Sequence, residues 1–207
     1  MAEPAIILAG GTGRRMGGAS KPDLRLHGRR LVDHLLGDLA AQGRPAVVVG
    51  PPGLTLPESP LVDRTLEDPP LGGPAAGIAA GAAAVRRRHP GARRVAVLAC
   101  DAPYSARALP LLEERLAADR AAGGAADGAV GVDPAGRVQR LLAVVDLAAL
   151  EDAVAALRAA GGVRDRSVRR LLAPLHLIEA PVPGWVRDAD APADLAALAA
   201  LDPPAAG

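Results

Sequence analysis

The chain has 207 residues, with 24 Lys plus Arg against 23 Asp plus Glu, a formal net charge of +1, and half of its residues hydrophobic. That length fits one domain with a sizeable core, expected over residues 1–202 with residues 203–207 as a disordered tail. Near-neutral charge argues against broad nucleic-acid binding, and one Trp, one Tyr and no Phe leave few platforms for stacking bases. A single cysteine, Cys100, excludes an intrachain disulfide and a cysteine-built zinc site, and it suits a reducing compartment. Met1-Ala2-Glu3-Pro4 lacks a basic leader, and the apolar run after it is too short for a signal or membrane segment. A soluble, cytoplasmic protein with no membrane partner is therefore expected.

In chain order, Pro4–Ala9 is a short apolar run ending in glycines, which predicts a buried strand. Leu31–Ala41 has apolar positions at helical spacing. Ala46–Val49 predicts a second buried strand, and Leu54–Pro70 is a proline-rich loop with a short strand expected at Leu61–Leu66. Pro74–Arg88 predicts a helix of small residues, and Val95–Cys100 a third buried strand. Ser105–Ala122 predicts a helix with Ser105 as its N-cap. Gly128–Val132 and Val138–Val145 read as strands joined by a turn at Asp133-Pro134-Ala135-Gly136. Helices are expected at Leu147–Ala160, Ser167–Leu172 and Pro192–Leu201, and a strand at Leu175–Glu179. Alternating strands and helices predict an α/β three-layer sandwich, a mostly parallel, Rossmann-like sheet with helices on both faces. Ligands of such sheets bind beyond the carboxyl ends of the strands, which directs attention to the residues after Leu8, Val49, Leu66 and Ala99.

The first of these carries the strongest signal. Leu8-Ala9-Gly10-Gly11-Thr12-Gly13-Arg14-Arg15-Met16-Gly17-Gly18-Ala19-Ser20-Lys21-Pro22 holds five glycines, whose N–H groups can close on phosphate oxygens without a Cβ in the way. Arg15 and Lys21 add charge to the same anion. Lys21 is the only lysine in the chain. In a protein that otherwise uses Arg for positive charge, it marks a place where a compact ammonium is needed. Spacing excludes two common phosphate loops. G-x-G-x-x-G begun at Gly11 meets Met16 at its third glycine, and a Walker loop needs Lys before Ser or Thr, whereas Lys21 follows Ser20. A ligand-free strand-to-helix turn is the plain rival.

This stretch resembles the N-terminal motif L-x-G-G-x-x-x-R-M-G-x-x-K of nucleotidyltransferases that activate sugars and cofactors, and most closely the molybdenum cofactor guanylyltransferases, the MobA-like group. The residue before the lysine is Ser20, where the closest members carry Asp. Leu24-Arg25-Leu26-His27-Gly28-Arg29-Arg30-Leu31-Val32-Asp33 resembles the segment that follows the lysine there. Asp68-Pro69-Pro70-Leu71-Gly72-Gly73-Pro74-Ala75-Ala76-Gly77 resembles the D-x-x-x-x-G-P-L-A-G segment around base and ribose, with Ala75 in place of Leu. Val97-Leu98-Ala99-Cys100-Asp101-Ala102-Pro103-Tyr104 is similar to a strand-C-D-x-P-[FY] motif. The plain rival for Asp101 is a helix cap or a solvated loop residue; as a carboxylate at the active edge of a sheet it also suits Mg²⁺. Arg137-Val138-Gln139-Arg140-Leu141-Leu142 resembles a stretch that often reads Q-P-L or H-P-L, with Arg140 replacing Pro. Arg166–Leu172 resembles an R-S-x-R-x-L-L helix that could face the anionic acceptor, or be a solvated face. Asp188-Ala189-Asp190-Ala191-Pro192-Ala193-Asp194-Leu195 resembles N-x-N-T-P-E-D-L. Asp188 and Asp190 alternate along an extended segment and so point the same way. Asp190 could give the metal a second carboxylate or simply precede a helix.

The resemblance implies a Mg²⁺-dependent transfer of GMP from GTP to a molybdopterin-type phosphate. Leu8, Ala9, Gly10, Gly11, Thr12, Gly13, Lys21, Asp68, Gly73, Gly77 and Asp101 are then expected at the nucleotide. Arg15, Lys21 and Asp101 would be catalytic, with Asp101 and Asp190 toward the metal. Cys100 is expected to be a packed strand residue, and His27, His34, His89 and His176 show no metal spacing. The rivals are transfer of CMP to molybdopterin, transfer of GMP to phospholactate, and a non-catalytic nucleotide-binding module. The oligomeric state, monomer or weak dimer, stays open.

Overall fold

The structure, a computed structural model, describes residues 2–10, 21–189 and 191–201. Gly11, Thr12, Gly13, Arg15, Asp190 and the expected tail at 203–207 lie outside the described residues.

The strongest apolar runs become the centre of the sheet. β1 (Ala5–Leu8), β4 (Ala46–Val49) and β6 (Arg94–Ala99) are parallel neighbours, with β5 (Val62–Thr65) outside β4. Central parallel strands are covered on both faces, so continuous Ala, Val, Ile and Leu fits them where alternation would not. On the other side of β6 the sheet turns antiparallel. β8 (Val138–Asp146) pairs β6, β7 (Gly128–Val132) pairs β8, and β9 (Leu177–Pro181) pairs β7 in parallel. The seven-stranded order is β5-β4-β1-β6-β8-β7-β9. The expected three-layer α/β architecture is found.

Helices α1 (Leu31–Ala41) and α3 (Leu109–Ala121) cover one face, packed with Ala5, Ile7, Val48 and Leu98. α2 (Pro74–Arg88), α4 (Leu147–Ala159) and α5 (Val168–Leu172) cover the other, packed with Ile6, Val47, Val97 and Val145. α2 lies very close to the sheet because small residues face it. A Cβ built on Gly81 would meet Ile6 Cγ2 at 2.6 Å, and one on Gly77 would meet Leu8 Cδ2 at 3.1 Å. α6 (Pro192–Ala199) closes a third, smaller cluster with Leu26, Leu31 and Tyr104.

Three local differences from the sequence reading have physical causes. Ser105 does not cap a helix. Its hydroxyl donates to the Ala102 carbonyl at 2.7 Å, a 3-10 turn spans Ser105–Ala108, and α3 starts at Leu109 with Pro110 in its first turn, where a missing N–H costs nothing. The last strand sits two residues later than expected, at Leu177–Pro181, because its partner β7 sets the register from Gly128↔Leu177. A hairpin of β2 (Arg25–Leu26) and β3 (Arg29–Arg30) was not anticipated; its turn places His27 at φ 50° and Gly28 at φ 77°. Two positive φ values suit a two-residue hairpin, but His-Gly is a weaker signal than Asn-Gly.

The expected turn after β7 is built on Asp133. Its buried carboxylate accepts from the N–H groups of Ala135 and Arg137 at 2.9 and 3.0 Å, from Arg137 Nε at 2.9 Å and from Gln139 Nε2 at 3.0 Å. These donors, the Arg137 N–H first, hold the carboxyl below its ordinary value. A depressed folded-state pKa adds stability above the unfolded pKa, and that stability is lost as pH falls through the folded value. Asp133→Asn should therefore lower the melting temperature at neutral pH. The deficit should shrink as pH falls below about 4, the ordinary carboxylate range. Thermal unfolding of both proteins from neutral to acid pH checks this; a deficit that does not change with pH would contradict it.

Candidate active site

Strand order reverses at β1. The chain runs outward from it through β4 to β5, and β6 lies on its opposite side. The carboxyl ends of β1 and β6 therefore flank a crevice of the kind where α/β sheets hold ligands. Leu8 ends β1 opposite Val49 and Ala99. The Ala9 N–H donates to the Val49 carbonyl at 2.8 Å and the Cys100 N–H to the Leu8 carbonyl at 3.0 Å, so both chains leave the sheet side by side. Gly10 then stands exposed, and a Cβ on it would meet nothing within 4 Å.

Lys21 and Asp101 meet in this crevice. The Lys21 ammonium lies 2.8 Å from the Asp101 carboxylate, and the two side chains are 23% and 19% exposed. Lys21 opens the 3-10 turn Lys21–Asp23, where the Leu24 N–H donates back to the Lys21 carbonyl at 3.2 Å. Arg30 ties down this turn. It grips Asp33 with two bonds of 2.7 Å and reaches Asp23 at 3.2 Å and the Thr55 carbonyl at 2.9 Å. The β2–β3 hairpin thus delivers the cation that braces the lysine turn. Asp101 is braced by its backbone: the Ala189 N–H donates to its carbonyl at 2.8 Å. That bond places the segment 182–189 along the site, with half-buried Trp185 packed against two core clusters.

The segment 68–77 borders the same crevice. Gly73 precedes α2 at φ 83°, a backbone state that favours glycine. Exposed Asp68 lies on the approach to it, and Gly77 faces Leu8 inside α2. The Asp165 N–H donates to the Gly72 carbonyl at 2.8 Å and the Ala75 N–H to the Arg166 carbonyl at 3.3 Å. The loop before α5 therefore supports the glycine turn. Ser167 caps α5 by accepting from the Arg170 N–H at 3.2 Å.

Beside Asp101 opens a cleft of about 270 Å³. Ala99, Leu141, Leu142, Val168 and Val186 supply apolar wall. Gln139, Arg140, Arg187 and Asp188 supply polar groups. No motif reading marked Gln139 or Arg187 as a site residue, because each reaches the cleft through long-range pairing. Buried Cys100 is no nucleophile; burial, and then the Asp101 charge, push its thiol up, far from ionising at neutral pH.

Among the described residues, no three His, Cys, Asp or Glu side chains cluster to hold a metal. Asp101 and Asp188 on one cleft do fit an ion that takes one or two carboxylates and completes its shell with phosphate oxygens and water, as Mg²⁺ does.

Comparison with known proteins places the fold and the family. A molybdenum cofactor guanylyltransferase of Bradyrhizobium sp. (strain ORS 278) is 38% identical over 116 residues, 52% of this chain and 51% of that protein. One from Acidiphilium cryptum (strain JF-5) is 53% identical over 38 residues, 18% of this chain and 19% of that protein. The chain thus aligns with about half the length of the first relative and a fifth of the second. The solved molybdopterin-guanine dinucleotide biosynthesis protein A of Archaeoglobus fulgidus superposes with a TM-score of 0.63 at 19% identity, covering 94% of this chain and 96% of that one. The 2-C-methyl-D-erythritol 4-phosphate cytidylyltransferase of Thermus thermophilus gives 0.65 at 21% identity, covering 97% and 98%. At these identities the solved structures establish the shared fold. The model of the MobA-like NTP transferase domain matches residues 5–178, from the first strand through the glycine loop, Asp101 and the antiparallel hairpin, and the chain belongs to that family.

Proposed function

We propose that the protein transfers GMP from GTP to the phosphate of molybdopterin in the presence of Mg²⁺. The observation that carries this reading is the ion pair of the chain's one lysine with Asp101 at the switch point of the sheet. The family and the names of the aligned relatives support the choice of nucleotide and acceptor. An oxygen of the acceptor phosphate attacks the α-phosphorus of GTP, the bond from that phosphorus to the bridging oxygen breaks, and pyrophosphate leaves. Such a transfer asks the protein for positioning and charge neutralisation rather than for a nucleophile.

In this reading the amides of residues 10–13 and Arg15 hold the β- and γ-phosphates. Lys21 neutralises charge at the α-phosphate, and the 68–77 segment receives ribose and base. Asp101 would hold Mg²⁺, with Asp190 as a second carboxylate and Asp188 lining the same cleft. Bound there, the ion would offset charge on the phosphate oxygens. The Lys21–Asp101 contact has to open when nucleotide enters, the ammonium turning to phosphate and the carboxylate to the cation. Each group thus keeps the other neutralised until its own ligand arrives.

Pyrophosphate release measured with GTP, CTP and ATP, with and without molybdopterin, tests the proposal. Release should require the acceptor and be fastest with GTP; faster release with CTP would reassign the base. Lys21→Ala should lower kcat by about 10²–10³, the usual loss for one charge-stabilising group, and Lys21→Arg should restore little, because a planar fork misplaces charge at a crowded phosphate. A near-normal rate for Lys21→Arg would sink the role given to the lysine. Asp101→Asn should keep a melting temperature close to wild type, since the isosteric amide oxygen, an uncharged acceptor, can still accept a weaker hydrogen bond beside Lys21. It should lose Mg²⁺-dependent turnover yet bind GTP at least as well in chelator, because Lys21 is released. Calorimetry with and without Mg²⁺ reads both effects, and weaker metal-free binding would contradict the partner exchange.

A further inference from the structure

The cleft beside Asp101 has two arginines that the transfer reaction has not yet used. β8 bulges where it passes β7: Val130 pairs Ala143, but the next residue, Gly131, pairs Gln139. Residues 140–142 are thus extra on the β8 side, while Leu142 keeps its pairing with Leu98 of β6. Bulges of this kind re-aim side chains at the rims of sheets. Here the bulge presents Arg140 at the cleft, just beyond the end of β6. Gln139 at its root is fixed by the Asp133 carboxylate at 3.0 Å, so the bulge starts from a rigid turn. Arg187 lines the same cleft from a different segment of the chain. Its segment is pinned at both ends, by the Val182 N–H to the Val132 carbonyl at 2.9 Å and by the Ala189 N–H to the Asp101 carbonyl at 2.8 Å.

Both guanidiniums are exposed, and neither has a hydrogen bond or ion pair among the described residues. Other exposed arginines, Arg166, Arg169 and Arg170 among them, also lack a carboxylate partner among the described residues; Arg140 and Arg187 are the two that line this cleft. Asp101 and Asp188 place negative charge in the same cleft, so a bare anion would be repelled from that part of it. Two arginines supply compensating charge where an incoming phosphate must wait. The apolar wall of Leu141, Val168 and Val186 suits the uncharged body of the molecule that carries it.

We propose that Arg140 and Arg187 form the anion clamp for the acceptor, selecting a phosphomonoester and aiming its phosphate at the Lys21–Asp101 end of the cleft. Guanidiniums bind phosphate through paired N–H donors and so fix its orientation as well as its charge. This inference rests on the transfer reaction proposed above, and it assigns acceptor recognition to residues outside the glycine loop.

Arg140→Ala, Arg187→Ala and the double variant test it in the full chain. The KM for molybdopterin should rise about tenfold or more in each single variant, as expected on losing a charge-assisted hydrogen bond, with a smaller fall in kcat. Arg→Lys at either position should recover only part of the loss. Affinity for GTP with Mg²⁺, read by calorimetry, should stay within about twofold of wild type, because the clamp does not touch the nucleotide. An unchanged acceptor KM, or GTP affinity falling as far as acceptor KM rises, would overturn the proposal. A second measurement needs no turnover. Phenyl phosphate followed by ligand-observed NMR should bind wild type saturably, be displaced by inorganic phosphate, and lose binding in the double variant; equal binding in both proteins would overturn the clamp. Failure of the transfer reading would show separately, as no pyrophosphate release from wild type with any nucleotide, and the phenyl phosphate result would still decide the role of the two arginines.

Discussion

Lys21 and Asp101 stand 80 residues apart in sequence, yet ammonium and carboxylate meet at 2.8 Å. Opposite charges drawn out of bulk water have to find each other or a ligand, since either one left alone there would be costly. Much of the surrounding structure can be understood as what keeps them within reach. β1 and β6 pair in parallel, so the chain leaves both strands at the same edge of the sheet. The Arg30 bonds to Asp33 and Asp23 hold the lysine turn from one side, and the Ala189 N–H holds Asp101 from the other. A site held from two independent directions keeps its geometry when its own two charges part.

The sheet beneath them is packed with small aliphatic groups. Without Phe, the core cannot fill volume with rings, and it compensates by close approach. α2 is the clearest instance. Its Gly77 and Gly81 lie against Leu8 and Ile6, which brings the start of the helix and the glycine turn before it down to the end of β1. A larger residue at Gly81 would clash with Ile6, and one at Gly77 would press on Leu8, so both positions hold the helix close. Packing therefore sets where the helix start and the turn at Gly73 lie relative to the end of β1.

The fold was legible because each central strand is a continuous apolar run and each helix carries its own spacing. Lys21 and Asp101, which the structure brings together, stand out in the sequence for a different reason: the lysine is unique, and the aspartate directly follows a buried strand. What escaped the sequence depends on tertiary partners. The His27-Gly28 turn lacks the usual residues, and the cation it serves, Arg30, is one of many arginines. Ser105 looked like a cap because it precedes a helical pattern, but Pro110 moved the helix start away from it. Gln139 and Arg187 could not be assigned from local pattern, because an antiparallel strand with a bulge and a backbone bond to Asp101 bring them to the cleft. The resemblance placed Gly77 with the nucleotide, and the coordinates show the helix–sheet contact that keeps that position small.

The bond from the Ala189 N–H to the Asp101 carbonyl has an optical consequence. Trp185 is the only indole in the chain, four residues before that bond on the same pinned segment and half-buried between two clusters. A rearrangement that moves the Asp101 backbone would act on that segment through this bond. With a single Tyr and no Phe, ultraviolet emission excited at the indole band comes from one place. The molecule thus carries one intrinsic fluorophore on the segment pinned to Asp101, so a change in that segment would be readable without any added label.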